Sequence, residues 1–235
     1  MEDIMKKTVV AFDIGESYLK IAQQTKDGIS VDFVQMPENL MNDGIIQMPH
    51  MFADAGFKLR TLIPQEISVG NIMKQGITDG RIEADKEYCI VNLGHRSTQI
   101  YVFKGDKQLV YRNIHVGGNA IDEVIAENEN VDVFVARTRK NTNFNDVLDT
   151  DSVRETYARI AVEVRKVINF YRFNNRESML ENVYFTGGCS NITELCDTIA
   201  EINDLQAKPM TDILPKSVKR NTDMMGVFAI GVLLQ

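Results

Sequence analysis

The sequence predicts an α/β fold of two related lobes that face each other across a cleft. Three observations carry this expectation. A strand, tight turn, strand, hairpin, strand unit is written twice, over residues 8–35 and 88–116. Three apolar strands end in glycine-bearing turns, at Gly15, Gly94 and Gly187-Gly188. Helical periodicity then follows the second unit and the third turn, and looking for repeats first guards against misreading such an architecture.

The apolar run 8–12 ends in Asp13-Ile-Gly15, so a strand enters a turn. Residues 18–24 and 29–35 are strands joined by Lys26-Asp-Gly28, a hairpin signal. Residues 43–57 are expected to be helical, although Gly44 and Pro49 oppose it. Residues 58–62 read as a short buried strand. Pro64 suits the first turn of a helix that 65–74 continue. The second unit repeats the first: strand 88–91, turn Asn92-Leu-Gly94, strand 97–103, hairpin Lys104-Gly-Asp106, strand 108–116. Gly117-Gly118 leads into a helix over 119–127, with Ile121, Val124 and Ile125 inward. Residues 131–140 and 153–173 also read as helices, the second carrying Ile160, Val164, Val167, Ile168 and Tyr171 on one stripe. Residues 141–150 are polar and expected to be a loop. A final strand, 183–186, runs into Gly187-Gly-Cys-Ser190, a helix over 192–202 follows, and 224–234 form an apolar helix.

The 235 residues carry 26 Lys+Arg against 33 Asp+Glu, a net charge of −7, with 44% apolar and 25% charged residues. That is the composition of a folded globular chain, long enough for one large core or two small ones. An acidic balance with no Lys/Arg-rich tract excludes nucleic acid as the main partner. No apolar run approaches the roughly 20 residues that span a bilayer. The first residues lead straight into a β-like segment, so no signal peptide is expected. Cys89, Cys189 and Cys196 are odd in number and unpaired in spacing, as expected of reduced cytosolic thiols. His50, His95 and His115 show no metal-ligand spacing.

Glycine at a strand end lets backbone N–H groups approach an anion with no Cβ in the way. Hydroxyl residues that can donate to phosphate stand beside each turn: Ser17, Ser97 with Thr98, and Ser190. Asp13 is placed to hold Mg²⁺ through water, because that ion keeps several waters and takes few carboxylates. Lys20 supplies a positive charge for a phosphate. Three such turns, two of them inside a repeat, point to a phosphate-binding cleft between lobes.

These motifs resemble the actin-like ATPase superfamily, with its ribonuclease H-like fold, and within it the PilM family of type IV pilus assembly and the cell-division FtsA family. Phe12-Asp-Ile-Gly-Glu-Ser-Tyr-Leu-Lys20 resembles the first phosphate motif and Ile90-Val-Asn-Leu-Gly-His-Arg-Ser-Thr98 the second. Arg112-Asn-Ile-His-Val-Gly-Gly118 before a helix is the PilM-like continuation. Val183-Tyr-Phe-Thr-Gly-Gly-Cys-Ser190 resembles the adenosine motif, Pro64-Gln-Glu-Ile-Ser-Val-Gly70 the first connecting helix, and Phe228-Ala-Ile-Gly-Val-Leu-Leu234 the closing one. The resemblance implies a first lobe over 1–80 plus 222–235, a second over 81–221, and ATP with Mg²⁺ between them. Nucleotide contacts are implied for Asp13, Gly15, Glu16, Ser17, Tyr18 and Lys20, then for Asn92, Gly94, Ser97 and Thr98. Gly117, Gly118 and Lys140 follow, with Gly187, Gly188 and Cys189 in the adenosine motif. Asp13 is the implied metal ligand and Glu66 the implied polar residue near the attacking water.

Three departures from the family pattern qualify the expected activity. Asn92 stands where an Asp is usual, and an amide brings no negative charge. Arg137 replaces the acid of an Ala-Glu-x-x-Lys pattern whose Ala136 and Lys140 are kept. Asp13 and Asn92 lie only 79 positions apart (92 − 13), which leaves no room for the extra subdomain of the first lobe. At most a weak ATPase is expected. The implied role is a cytoplasmic scaffold of a pilus or secretion machine, peripheral to the inner membrane, that binds the N-terminal tail of a PilN-like membrane protein. A ring or other homo-oligomer stays open, and direct membrane insertion is not expected. The alternatives are a scaffold without nucleotide, an FtsA-like adaptor, disfavoured because no basic amphipathic tail is expected beyond Gln235, and a small-molecule kinase.

Overall fold

A computed structural model of the chain describes residues 9–15, 17–36, 52–218 and 224–234. The predicted duplication is present. Strands β1 (Val10–Ile14), β2 (Tyr18–Thr25) and β3 (Gly28–Gln35) form an antiparallel three-stranded sheet. Strands β4 (Glu87–Leu93), β5 (Thr98–Lys104) and β6 (Lys107–Ile114) form the same meander in a second sheet. The two copies agree in register: Asp13 faces Lys20 across β1–β2, and Asn92 faces Gln99 across β4–β5. They also share one turn geometry. Gly15 N donates to the Tyr18 carbonyl and Gly94 N to the Ser97 carbonyl, each at 3.0 Å.

The second sheet is extended by two parallel strands, β7 (Asn182–Thr186) beside β4 and β8 (Gln206–Pro209) beside β7, giving the order β6-β5-β4-β7-β8. The described helices of eight residues or more are α1 (Gln65–Thr78), α2 (Gly118–Glu129), α3 (Val133–Thr142), α4 (Asp151–Asn174) and α5 (Thr193–Ile202). A seven-residue α6 (Val227–Leu233) closes the described chain. One face of the second sheet is covered by α2, α4 and α5. There the α4 stripe Ile160, Val164, Ile168 and Tyr171 packs with Val91, Ile100, Val102 and Val183. All five stripe positions read from the sequence are buried, as 3.6-residue periodicity requires.

The opposite face packs on α1 and α6, through Val69, Ile72, Met73, Val227 and Phe228 against Ile90, Tyr101 and Phe103. From its other side α6 covers the first sheet, with Ala229 and Ile230 on Ala11, Ala22 and Ile29. A helix that is apolar all round, as α6 is, belongs between two layers. The approach of α1 to α6 is close. Ser68 Oγ donates to the Phe228 carbonyl at 2.5 Å, and Asn71 Nδ2 to that of Gly231 at 2.9 Å. A Cβ on Gly231 would lie 2.1 Å from the Ser68 carbonyl oxygen.

Some expectations need correction. Residues 58–62 form no strand; they are exposed, Leu62 to 77%. A β-like run without a ladder partner has nowhere to place its backbone donors except water. The 141–150 segment is an organised 3₁₀ stretch (Phe144–Asp149) that buries Val147, with Asn143, Asn145 and Asp146 in the left-handed region that Asn and Asp tolerate. The closing helix is preceded by a 3₁₀ turn, Met224–Gly226, where a Cβ on Gly226 would meet Val31 Cγ1 at 2.4 Å. Strand β8 has no sequence signature, being short and mostly exposed. Of the predicted 43–57 helix, residues 52–54 are helical and residues 43–51 lie outside the described residues.

Candidate functional site at the junction of the sheets

The ends of β1 and β4 meet at the start of α1, and a chain of polar side chains runs across the junction. Asp13 is buried at the end of β1, its side chain 5% exposed, and Lys20 Nζ reaches its Oδ2 at 2.9 Å from the facing position on β2. Without that ammonium the carboxylate would be too costly to bury. Its other oxygen accepts from Gln65 Nε2 at 3.2 Å. Gln65 in turn accepts from Gln99 Nε2 at 2.8 Å, and Gln99 Oε1 accepts from Asn92 Nδ2 at 2.9 Å and from the Tyr101 hydroxyl at 3.1 Å.

The duplication gives this bridge its meaning. Asn92–Gln99 is the second-copy counterpart of Asp13–Lys20, in the same facing register and at the same 2.9 Å. Where the first copy has a carboxylate and an ammonium, the second has two amides. Asn92 is thus one half of a matched change from a charged to a neutral pair. The first residue of α1, Gln65, ties the two pairs together.

The third turn stands beside the second. Thr186 pairs with Asn92 across β7–β4, so Gly187 follows directly, at φ 95° and with Asn92 Oδ1 only 2.3 Å from where a Cβ would be. Any other residue there would be strained and would displace Asn92. Gly118 N donates to the Gly94 carbonyl at 2.9 Å and Asn119 N to that of His95 at 2.8 Å, fastening the start of α2 to the second turn. Gly188 is open: the nearest atom to its Cβ position is Met225 Sδ at 3.7 Å.

Several predicted site groups are engaged within the protein. The Thr98 hydroxyl donates to the Val116 carbonyl at 2.8 Å and the Ser190 hydroxyl to that of Gly187 at 2.7 Å. The carbonyls of Tyr18, Ser97 and Ser17 accept from Gly15, Gly94 and Met36. Lys140 is buried, its ammonium 2.6 Å from Asp122 Oδ1 and 3.0 Å from the Gly118 carbonyl. Arg137 lies against the same fully buried Asp122, with Nε at 3.3 Å from Oδ2, and meets His95 Nε2 at 3.0 Å. Burial above all, then the Arg137 charge, push the His95 pKa down to about 4, so the ring is neutral at pH 7. The Cys189 thiol is buried beside Gly118, and burial raises its pKa. It is no reactive thiolate.

Glu66, in the first turn of α1, is half-buried and bonds toward the Tyr111 hydroxyl, whose pKa is raised chiefly by burial and then by the Glu66 charge. On α1 it is Gln65, not Glu66, that touches Asp13. Glu16 lies outside the described residues. Among the described residues no group of three His, Cys, Asp or Glu can hold a metal, and Asp13 is the one carboxylate of the bridge. Sequence reasoning missed Gln65, Gln99 and Asp122. A signal for Gln99 existed: it follows Asn92 by seven positions, as Lys20 follows Asp13.

Comparison with solved structures places this geometry among actin-like folds. The chain is similar to the PilM-PilN type IV pilus biogenesis complex, with a TM-score of 0.74 at 14% identity, covering 96% of this chain and 97% of that one. It is similar to the ethanolamine utilization protein EutJ from Carboxydothermus hydrogenoformans, with a TM-score of 0.69 at 17% identity over 99% and 91%. MreB 5 of Spiroplasma citri bound to AMPPNP matches with a TM-score of 0.64 at 11% identity over 97% and 96%. At these identities the likeness shows the fold: two-lobed and actin-like. No curated protein matches in sequence. The sequence model of the family described as type IV pilus assembly protein PilM matches residues 71–222, from within α1 through the whole second sheet. The chain therefore belongs to the PilM family of type IV pilus assembly proteins.

Proposed function

We propose that this protein is a nucleotide-binding actin-like scaffold of a type IV pilus or related secretion machine. It works at the cytoplasmic side of the inner membrane by holding the N-terminal tail of a PilN-like membrane protein. The observation that carries the nucleotide reading is the asymmetric bridge, charged at Asp13–Lys20 and neutral at Asn92–Gln99. Mg²⁺ takes one or two carboxylates and completes its shell with phosphate oxygens and water, so a single Asp13 beside an ammonium and an open Gly188 fits a Mg²⁺–nucleotide. Bound Mg²⁺–ATP would supply neutralised phosphate charge between the lobes. Lys20 balances the charge of Asp13 and of a phosphate. Gln65 can orient a water through its amide but cannot take its proton, and Asn92 and Gln99 cannot either. The site is therefore built to bind, with slow hydrolysis or none. The partner assignment is supported by family membership and by the similarity to the PilM-PilN complex. No helix among the described residues is long and apolar enough to cross a membrane.

A scaffold that works without nucleotide is the second reading, favoured by the way the bridge groups already satisfy one another. Titration of a fluorescent ATP analogue with and without Mg²⁺ separates the two. Saturable binding that weakens without Mg²⁺ and disappears in Asp13→Ala, with the circular dichroism spectrum kept, supports the first. Undetectable binding at millimolar nucleotide leaves the second.

A further inference from the structure

Away from the junction, β6 is an edge strand. Its inner neighbour is β5, and no described strand lies on its other side. An antiparallel edge leaves alternate backbone N–H and C=O groups facing outward, a template for a further strand unless something guards it. Beside the last residues of this strand lies α4, and two hollows open between it and residues 112–123. One, of about 670 Å³, lies between residues 114–116, the start of α2 and the middle of α4; the other, of about 260 Å³, lies between Arg112 and Phe170. The α4 residues that line them extend from Glu155 to Phe170, roughly 22 Å of helix, the length of about seven extended residues.

The groove has an apolar floor and walls and opposite charges at its ends. Val167 is nearly buried, while Val162 and Phe170 stay 44% and 57% exposed. At one end Arg112 lies over the Phe170 ring, 5.9 Å from its centroid, and donates to the Tyr111 carbonyl at 3.0 Å. No carboxylate among the described residues pairs with it. At the other end Glu123 and Glu155 make no ion pair among the described residues; Glu123 accepts from Asn119 at 3.4 Å, and Arg159, which lines the same hollow, donates to the Thr156 hydroxyl at 3.0 Å, leaving that end acidic on balance. In the middle Lys166 and Glu163 cancel each other at 2.5 Å.

We infer that this groove takes an extended peptide segment of a partner protein, added as a strand to the edge of β6. The open edge calls for an extended backbone, and the opposite charges at the two ends suit a single segment charged at both ends. Alternate apolar side chains of the segment rest on Val162 and Phe170. The charges select an acidic residue at the Arg112 end and a basic one at the Glu123–Glu155 end. This recognition uses main-chain hydrogen bonds for affinity and pockets and end charges for choice, and it is independent of the nucleotide reading.

The test uses the full chain and fluorescein-labelled peptides of about nine residues of alternating valine and threonine. One carries glutamate first and lysine last, and a second the reverse, so that both chain directions are offered. Controls carry glutamine at both ends or a central proline. Fluorescence anisotropy is expected to show one of the charged peptides binding with one-to-one stoichiometry. The glutamine-ended control should bind roughly tenfold weaker, and the proline control should not bind. Arg112→Glu and Val162→Asp, both at exposed positions, should each weaken binding about tenfold, while Asp13→Ala leaves it unchanged. Absence of binding by both charged peptides at millimolar concentration overturns the inference, as does equal binding of all four peptides. A concentration-dependent dimer in sedimentation, dissolved by Val162→Asp, also overturns it, because the groove would then belong to a second copy of the chain.

Discussion

At the scale of single residues, Asn92 and Gln99 change together relative to Asp13 and Lys20. A carboxylate at 92 facing an amide at 99 would be a half-buried charge without a counterion, and an ammonium at 99 facing Asn92 the converse. Asn92→Asp alone should therefore lower stability by about 1–2 kcal/mol. Adding Gln99→Lys should restore most of it, giving a coupling energy of about 1 kcal/mol or more in a urea-unfolding double-mutant cycle. Strict additivity would show that the two positions are not a pair. His95 makes a second residue-scale prediction. Its folded pKa of about 4 lies below the ordinary imidazole value of 6.5. The unfolded chain thus takes up a proton first on acidification. The neutral ring contributes stability fully above pH 6.5, and that contribution is lost as pH falls from 6.5 toward 4. Arg137, Lys140 and Arg96 oppose the protonated ring and Asp122 alone favours it. His95→Gln should flatten the midpoint-against-pH curve in that window; an unchanged slope would assign the acid sensitivity elsewhere.

Secondary-structure elements divide into those written in local pattern and those made by tertiary contact. The glycine turns, the hairpins and α4 could be read directly, because a two-residue turn and a 3.6-residue stripe are local properties. Strand β8 could not, since Gln206 to Pro209 owe their conformation to pairing with β7 rather than to alternation. The 58–62 run shows the reverse error, a strand-like composition with no ladder to join. Asp13 and Lys20 are legible from their spacing as candidate phosphate-site residues, and in the structure they face each other as an ion pair. The family resemblance points to Glu66, but the phase of α1 turns its neighbour Gln65 toward Asp13. Asp122, one turn into α2, gave no local sign of the three cationic or imidazole groups that gather on it. The α1–α6 contact yields the element-scale prediction. In Gly231→Ala the new methyl would meet the Ser68 backbone, not a flexible side-chain end. The helices must part, at a cost of about 3 kcal/mol, visible as a lowered Tm with a native-like spectrum at low temperature. A variant as stable as the parent would show that α6 can slide.

At the scale of the whole molecule, among the described residues the first sheet is joined to the rest through the apolar α1–α6 layer, through the polar Gln65 bridge and through a backbone bridge from Ile29 to Val218. Under the proposed function, the Gln65 bridge is the element that would couple the state of the junction to the setting of the lobes. Gln65→Ala should lower stability by only about 1 kcal/mol. It should also abolish any nucleotide-induced change in the affinity for a PilN-like N-terminal tail, measured by calorimetry with and without ATP analogue. Persistence of that change in the variant would place the coupling outside the bridge.

The position of α6 also bears on how the chain is made. The helix that covers Ala11, Ala22 and Ile29 of the first sheet follows them by about 210 residues, a contact of very high sequence separation. For most of synthesis those strands are an uncovered apolar surface with open edges, while the second sheet and its helices can already close. Until α6 is in place, the apolar face of the first sheet lacks the layer that buries it.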